Sequence, residues 1–204
     1  FNWIDGIDGF FSFQVILALI GLSAMGAAGF TLAHFSLLAA LLPYSFMNIG
    51  LLGNKFKVFI GDHGAMMIGF FLACCFILLT QDPVNADESK AHPVNALWCV
   101  GLVLLNAFRV IWKRLIKKIS IFNSDREHIH HYFLDLGFSS KATLFIVCSI
   151  SLVISAFGTI IHYLDLPEWF SLIAFVSIFF LWSFLSRFSN LVFKSPQESL
   201  QSSK

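Results

Sequence analysis

Apolar residues run along the chain in six long blocks separated by short polar links: Phe10–Phe30, Phe35–Leu52, Gly64–Thr80, Val94–Trp112, Ala142–Tyr163 and Glu168–Leu185. A helix needs about 20 mostly apolar residues to cross roughly 30 Å of hydrocarbon, so the pattern predicts an all-α, polytopic membrane bundle of six spanning helices. Residues 1–190 are expected to form this membrane domain, and the Ser- and Gln-rich stretch 191–204 a disordered cytoplasmic tail. The first block holds Gly21, Ser23, Gly26, Ala27, Ala28 and Gly29, small residues that let helices approach closely in lipid. Pro43 and Asn48 in the second block are costly to leave against lipid and are expected to face protein.

Composition agrees with the pattern. Only 12% of residues are charged and 25 are Phe, which a water-facing surface would not tolerate, so a soluble domain is excluded. The formal net charge of +1 and the absence of a long basic block argue against nucleic acid as a partner. The placement of charge is more informative. Of the 13 Lys and Arg, only Lys90 falls on the side of the third link; the others follow the second, fourth and sixth blocks or close the fourth. The positive-inside rule makes that shared face cytoplasmic. Cys74, Cys75, Cys99 and Cys148 all lie inside predicted spans and are expected to be free thiols. His34, His92 and His162 fall on the outer side and read as structural.

Against this background the polar run Asn123–His131, NSDREHIHH, stands out, with two acids, one guanidinium and three imidazoles in nine residues. The six-span topology puts it on the same face as Asp5 and Asp8 of FNWIDGIDGF and Asp62 of VFIGDHG. Asp62 lies between two glycines, just before a helix expected to start near Gly64, where free amides and the helix dipole favour an acid. Carboxylates of this kind hold Mg²⁺ through one or two contacts, leaving water and phosphate to complete its shell. Arg126 and a cationic imidazole suit phosphate oxygens, and a neutral imidazole can accept a proton. Together they suit phosphoryl transfer. Blander readings stay open: a turn for DGIDG, a helix cap for Asp62, a solvated loop or adventitious soft-metal site for HIHH, an interfacial anchor for Phe59. A transporter is disfavoured, because no acid or base marks a path at mid-membrane depth.

FNWIDGIDGF, KVFIGDHGAMMIGF and SDREHIHHYFLDLGF, in this order and separated by spans, resemble the signature segments of the polyprenyl-phosphate N-acetylhexosamine-1-phosphate transferases of glycosyltransferase family 4. The resemblance implies a membrane enzyme that moves a sugar-1-phosphate from a UDP-N-acetylhexosamine to undecaprenyl phosphate and releases UMP. It would use Mg²⁺, or Mn²⁺ in its place, on the cytoplasmic face of a bacterial inner (plasma) membrane, in O-antigen or cell-envelope polysaccharide synthesis. Its implied partners are the two substrates and the lipid bilayer, with a homodimer as the expected assembly. It implies catalytic roles for Asp5, Asp8, Asp62 and His128, with Asp62 also the metal ligand. Asn2, Asn48, Phe59, Asp125, Arg126, His130 and His131 are implied to bind substrate, Phe59 by stacking on uracil and the histidine loop by holding phosphate.

The chain departs from the family pattern at Ala65, where a Ser is usual, and at Asn106, where close relatives carry an acid. The resemblance also implies further upstream spans bearing an acidic pair, so these 204 residues alone are expected to be inactive. The competing expectation is a catalytically inactive fragment or degenerate membrane scaffold with the same fold.

Overall fold

The computed structural model describes residues 7–26, 31–81, 92–116, 118, 133–134 and 136–193. Every regular element among them is helical, in agreement with the all-α expectation. The helices are α1 (Phe10–Ala24), α2 (Thr31–Asn48), α3 (Gly61–Gln81), the short α4 (Pro93–Leu97), α5 (Gly101–Ile116), α6 (Ser140–Tyr163) and α7 (Glu168–Phe193). A 3₁₀ turn at Asn54–Phe56 precedes α3, and another at Trp98–Val100 joins α4 to α5.

Among the described residues, three segments are long and apolar enough to cross a bilayer: Gly61–Leu78, Pro93–Ile116 and Ser140–Tyr163. The apolar helix Phe10–Ala24 is shorter, as is the apolar stretch Glu168–Phe184 within α7, and α2 interleaves His34, Ser36, Ser45 and Asn48 with its apolar residues. Three of the six expected spans are therefore found at full length. Phe35, Phe70, Phe145 and Val153 are each more than 60% exposed. In water such surface would be a liability, but hydrocarbon is as apolar as the side chains themselves.

The core is built around α1, which packs against α2, α3, α6 and the Trp98–Val100 turn. Phe10, Phe11, Val15, Ala18, Leu19 and Leu22 are buried on different sides of it. One buried polar contact crosses it: the Ser151 hydroxyl donates to Gln14 Oε1 at 2.7 Å, joining α6 to α1. Trp98, fully buried, donates from Nε1 to Ser171 Oγ on α7 at 2.9 Å and meets Phe157 and Phe175 edge-on. All four cysteines are free.

Two expectations need correction. Pro43 is exposed rather than facing protein, and α2 runs through it. Its ring is apolar and tolerates lipid, while the carbonyl that loses a donor is that of Ala39, one turn earlier. The third helix starts at Gly61, three residues before the expected Gly64, so Asp62 lies inside its first turn.

Candidate functional site

The first motif ends in a turn, Ile7–Gly9, that leads into α1. Gly9 has φ +83°, a left-handed conformation that side chains disfavour, and a Cβ there would lie 2.7 Å from Ile49 Cγ1. Only glycine lets the turn sit this close to the end of α2. What holds it there is Asn48, the last residue of α2, with 2% of its surface exposed. Its Oδ1 accepts the Gly9 N–H at 2.6 Å, and its Nδ2 donates to the Val58 carbonyl at 2.9 Å. One carboxamide thus uses both its acceptor and a donor to tie the Asp8–Gly9 turn to the run that carries Phe59 and Asp62.

A second link joins the same two segments. Lys57 Nζ donates to Asp8 Oδ2, forming an ion pair across 49 positions, and lies 5.5 Å from the centroid of the Phe59 ring. Phe59 is 66% exposed. Asp62, also exposed, stands in the first turn of α3, where the helix dipole favours its charge. The start of α6 reaches this end as well, Leu144 Cδ2 lying 3.4 Å from the place a Cβ on Gly9 would occupy.

At the opposite end α1 and α6 finish and α7 begins. The Tyr163 hydroxyl donates to the Ala24 carbonyl at 2.7 Å, and His92 Nδ1 and Glu168 Oε1 are 2.9 Å apart. His92 therefore belongs to a helix-end contact remote from Asp8, in keeping with its structural reading. His34 is buried, as a structural residue would be.

Of the expected site residues, the structure brings together Asp8, Asn48 and Phe59, with Asp62 on the same run as Phe59. Asn2, Asp5, Asp125, Arg126, His128, His130 and His131 lie outside the described residues. Asn48 is placed as a brace whose amide contacts backbone on both sides. Lys57, two positions before Phe59 in KVFIGDHG, is a functional candidate that the sequence signals only as a cation on the inner face. Ala65 is fully buried, so the missing hydroxyl of that position belongs to the core of the bundle rather than to the exposed surface at Asp62.

Among the described residues no three metal-ligating side chains converge. Asp62 makes no ion pair among them, whereas Asp8 is engaged by Lys57. A single free carboxylate at a helix N-terminus fits the modest protein share that Mg²⁺ takes in phosphate sites.

The brace carries a stability prediction. Asn48→Ala leaves a buried N–H and a carbonyl without partners, which costs about 1–3 kcal/mol for an unsatisfied group. The thermal unfolding midpoint of the purified protein is expected to fall, and an unchanged midpoint would show that the brace contributes nothing.

Residues 1–80 match the family described as Glycosyl transferase family 4. The chain is 33% identical to the undecaprenyl-phosphate alpha-N-acetylglucosaminyl 1-phosphate transferase of Escherichia coli K12, over 90% of its own length and 50% of the relative's. The protein of the same name from Yersinia pestis is 34% identical over 90% and 51%, and that from Pasteurella multocida 33% over 74% and 41%. The chain thus spans about half the length of the curated relatives it matches. No solved structure matches it significantly.

Proposed function

The chain belongs to glycosyl transferase family 4, and on that premise we propose that it forms part of a membrane enzyme transferring N-acetylglucosamine-1-phosphate, or a related N-acetylhexosamine-1-phosphate, from a UDP-sugar to undecaprenyl phosphate. The observation that carries the reading is the double tie of Asn48 and the Lys57–Asp8 pair. It holds two acid-bearing motifs, 49 positions apart at their ion pair, as one surface.

In this reaction an oxygen of the lipid phosphate attacks the sugar-bearing phosphorus of the UDP-sugar. A P–O bond forms to the lipid, the diphosphate P–O bond breaks, and UMP leaves with the bridging oxygen. Asp62 is the residue that would hold Mg²⁺, and the ion would supply charge neutralisation at the diphosphate. Asp8, kept in place by Lys57, gives the site its acidic side, while Phe59 offers an exposed ring face to the base; Asp5 would take the catalytic part that the family resemblance implies for it. Arg126 and a cationic imidazole among His128, His130 and His131 would donate to phosphate oxygens, a neutral imidazole of the same three would accept a proton, and Asp125 would take the substrate-binding part that the resemblance implies.

The site faces the cytoplasm of a bacterial inner membrane, and the six apolar blocks each span it. The support is the charge asymmetry: Lys55, Lys57 and Lys141 flank the helix ends at the site, whereas His92, Asp165 and Glu168 lie at the far end. The product serves cell-envelope polysaccharide synthesis, of which O-antigen is one form.

The test uses membranes expressing the protein from its complete reading frame, given labelled UDP-N-acetylglucosamine, undecaprenyl phosphate and Mg²⁺. Label is expected in the lipid fraction together with equimolar UMP. No lipid-linked label above that of membranes lacking the protein, with UDP-N-acetylglucosamine or with a labelled UDP-N-acetylhexosamine epimer in its place, would overturn the reading and favour the inactive-scaffold alternative.

A further inference from the structure

Lys57 is held in an arrangement that stability does not explain. Its side chain is 28% exposed and that of Asp8 42% exposed. An ion pair so open to solvent contributes little to folding, because water screens the attraction and two long side chains lose freedom to make it. The same ammonium stands 5.5 Å from the centre of the Phe59 ring, which is itself 66% exposed. The stem of Lys57 thus brings one positive charge to a spot bordered by an acid on one side and an open aromatic ring on the other. An ammonium has three N–H donors and Asp8 Oδ2 takes one of them, so two remain for oxygens arriving from solvent.

A ligand suited to that spot has a flat apolar ring attached to a chain of anionic oxygens. The ring covers the exposed Phe59, and the oxygens meet the ammonium a few ångströms away. Asp8 restrains Nζ beforehand, which reduces the side-chain entropy lost on binding. Asp8 would repel an anion if left bare, and Lys57 cancels that charge as well.

We propose that Lys57 is a direct diphosphate contact for the nucleoside diphosphate moiety of the substrate, positioned by Asp8 beside the Phe59 ring. This rests on the nucleotide-sugar reading above. It assigns Lys57 a specificity role, since it distinguishes a nucleoside diphosphate from the nucleoside.

Binding of uridine and of UDP to the protein purified in nanodiscs, measured by calorimetry at fixed Mg²⁺ and ionic strength, tests it. Lys57→Gln is expected to weaken UDP by about 10- to 100-fold, the value of a charge-assisted hydrogen bond, and to leave uridine unchanged. Lys57→Arg is expected to recover most of the loss, because the guanidinium keeps the charge. Adding Asp8→Asn to Lys57→Gln is expected to leave UDP weak. Recovery to the wild-type affinity in that double variant would show that Lys57 only neutralises Asp8, and would overturn the proposal. So would an equal loss of uridine and UDP, which marks a structural role, or a UDP affinity equal to wild type. If the wild-type protein binds neither ligand, the nucleotide-sugar reading fails and this inference with it. Intact uridine binding alongside unaltered UDP affinity in Lys57→Gln refutes the inference alone.

Discussion

Asp62→Asn is expected to lower lipid-linked sugar transfer by at least about 100-fold, the scale on which losing one preorganised charge-stabilising group acts on a rate. The substitution keeps the shape of the side chain and removes its charge. It should leave the fold nearly intact, since Asp62 is exposed and makes no ion pair among the described residues. What the helix loses is the favourable meeting of an acid with the N-terminal dipole in the first turn of α3, about 0.3–1 kcal/mol. A rate loss far larger than that must come from chemistry. The diagnostic is the Mg²⁺ concentration giving half-maximal transfer, which is expected to rise in the variant as one anionic ligand disappears. Full retained activity would refute the metal role. A slow variant with an unchanged Mg²⁺ requirement would move Asp62 from the metal to the substrate.

The largest stability effect is expected far from the site, at Gly158. A Cβ placed there would lie 2.0 Å from Trp98 Cβ and 2.4 Å from its Cγ. Trp98 cannot give way by changing rotamer, because its Cβ moves only with the backbone. The ring beyond is fixed by its bond to Ser171 and by Phe157 and Phe175. Even Ala must therefore push α6 away from the Trp98–Val100 turn. Overpacking of this kind costs typically about 1–3 kcal/mol, and a contact between two backbone-anchored atoms belongs at the upper end. The gain in helix propensity from replacing glycine, about 0.5–1 kcal/mol, does not offset it. Gly158→Ala is expected to lower the unfolding midpoint in detergent, and Gly158→Val to reduce the amount of folded protein recovered from membranes. A wild-type midpoint for the alanine variant would show that the two segments are not this close.

The two residues illustrate different degrees of legibility. Asp62 could be found in sequence because its signals are local: an acid between glycines, preceding an apolar run, with an aromatic three residues before it. Even there the sequence points to a helix start three residues late, since a glycine in first position resembles a breaker when judged by propensity alone. Gly158 has no such signal. It lies in an apolar block among other small residues, and nothing within several positions indicates that an indole stands against it.

Asn48 and Lys57 fall between these cases. A polar amide near the end of an apolar block pointed to a protein-facing position, which burial bears out. Which groups the amide would meet was not readable, because Gly9 and Val58 are brought to it by the packing of α1 against α2 and by the turn before α3. In sequence, Lys57 shows only its sign, as one of the cations on one face. Its partner lies 49 positions away, so the pair exists only once α1 and α2 have packed.

By itself, the chain's order of apolar blocks and its lopsided distribution of lysine and arginine determined an all-helical membrane protein, and its three polar motifs an expectation of chemistry on one face. These follow from interactions reaching a few residues or from the thickness of a bilayer, both of which leave a periodic or compositional trace. The tertiary structure alone decided that Pro43 lies exposed, that Trp98 closes on Gly158, that Asn48 braces two loops, and that Lys57 joins Asp8 beside Phe59. Those outcomes depend on which faces of distant helices meet, and close packing settles that through shape over the whole bundle rather than through any local run of residues.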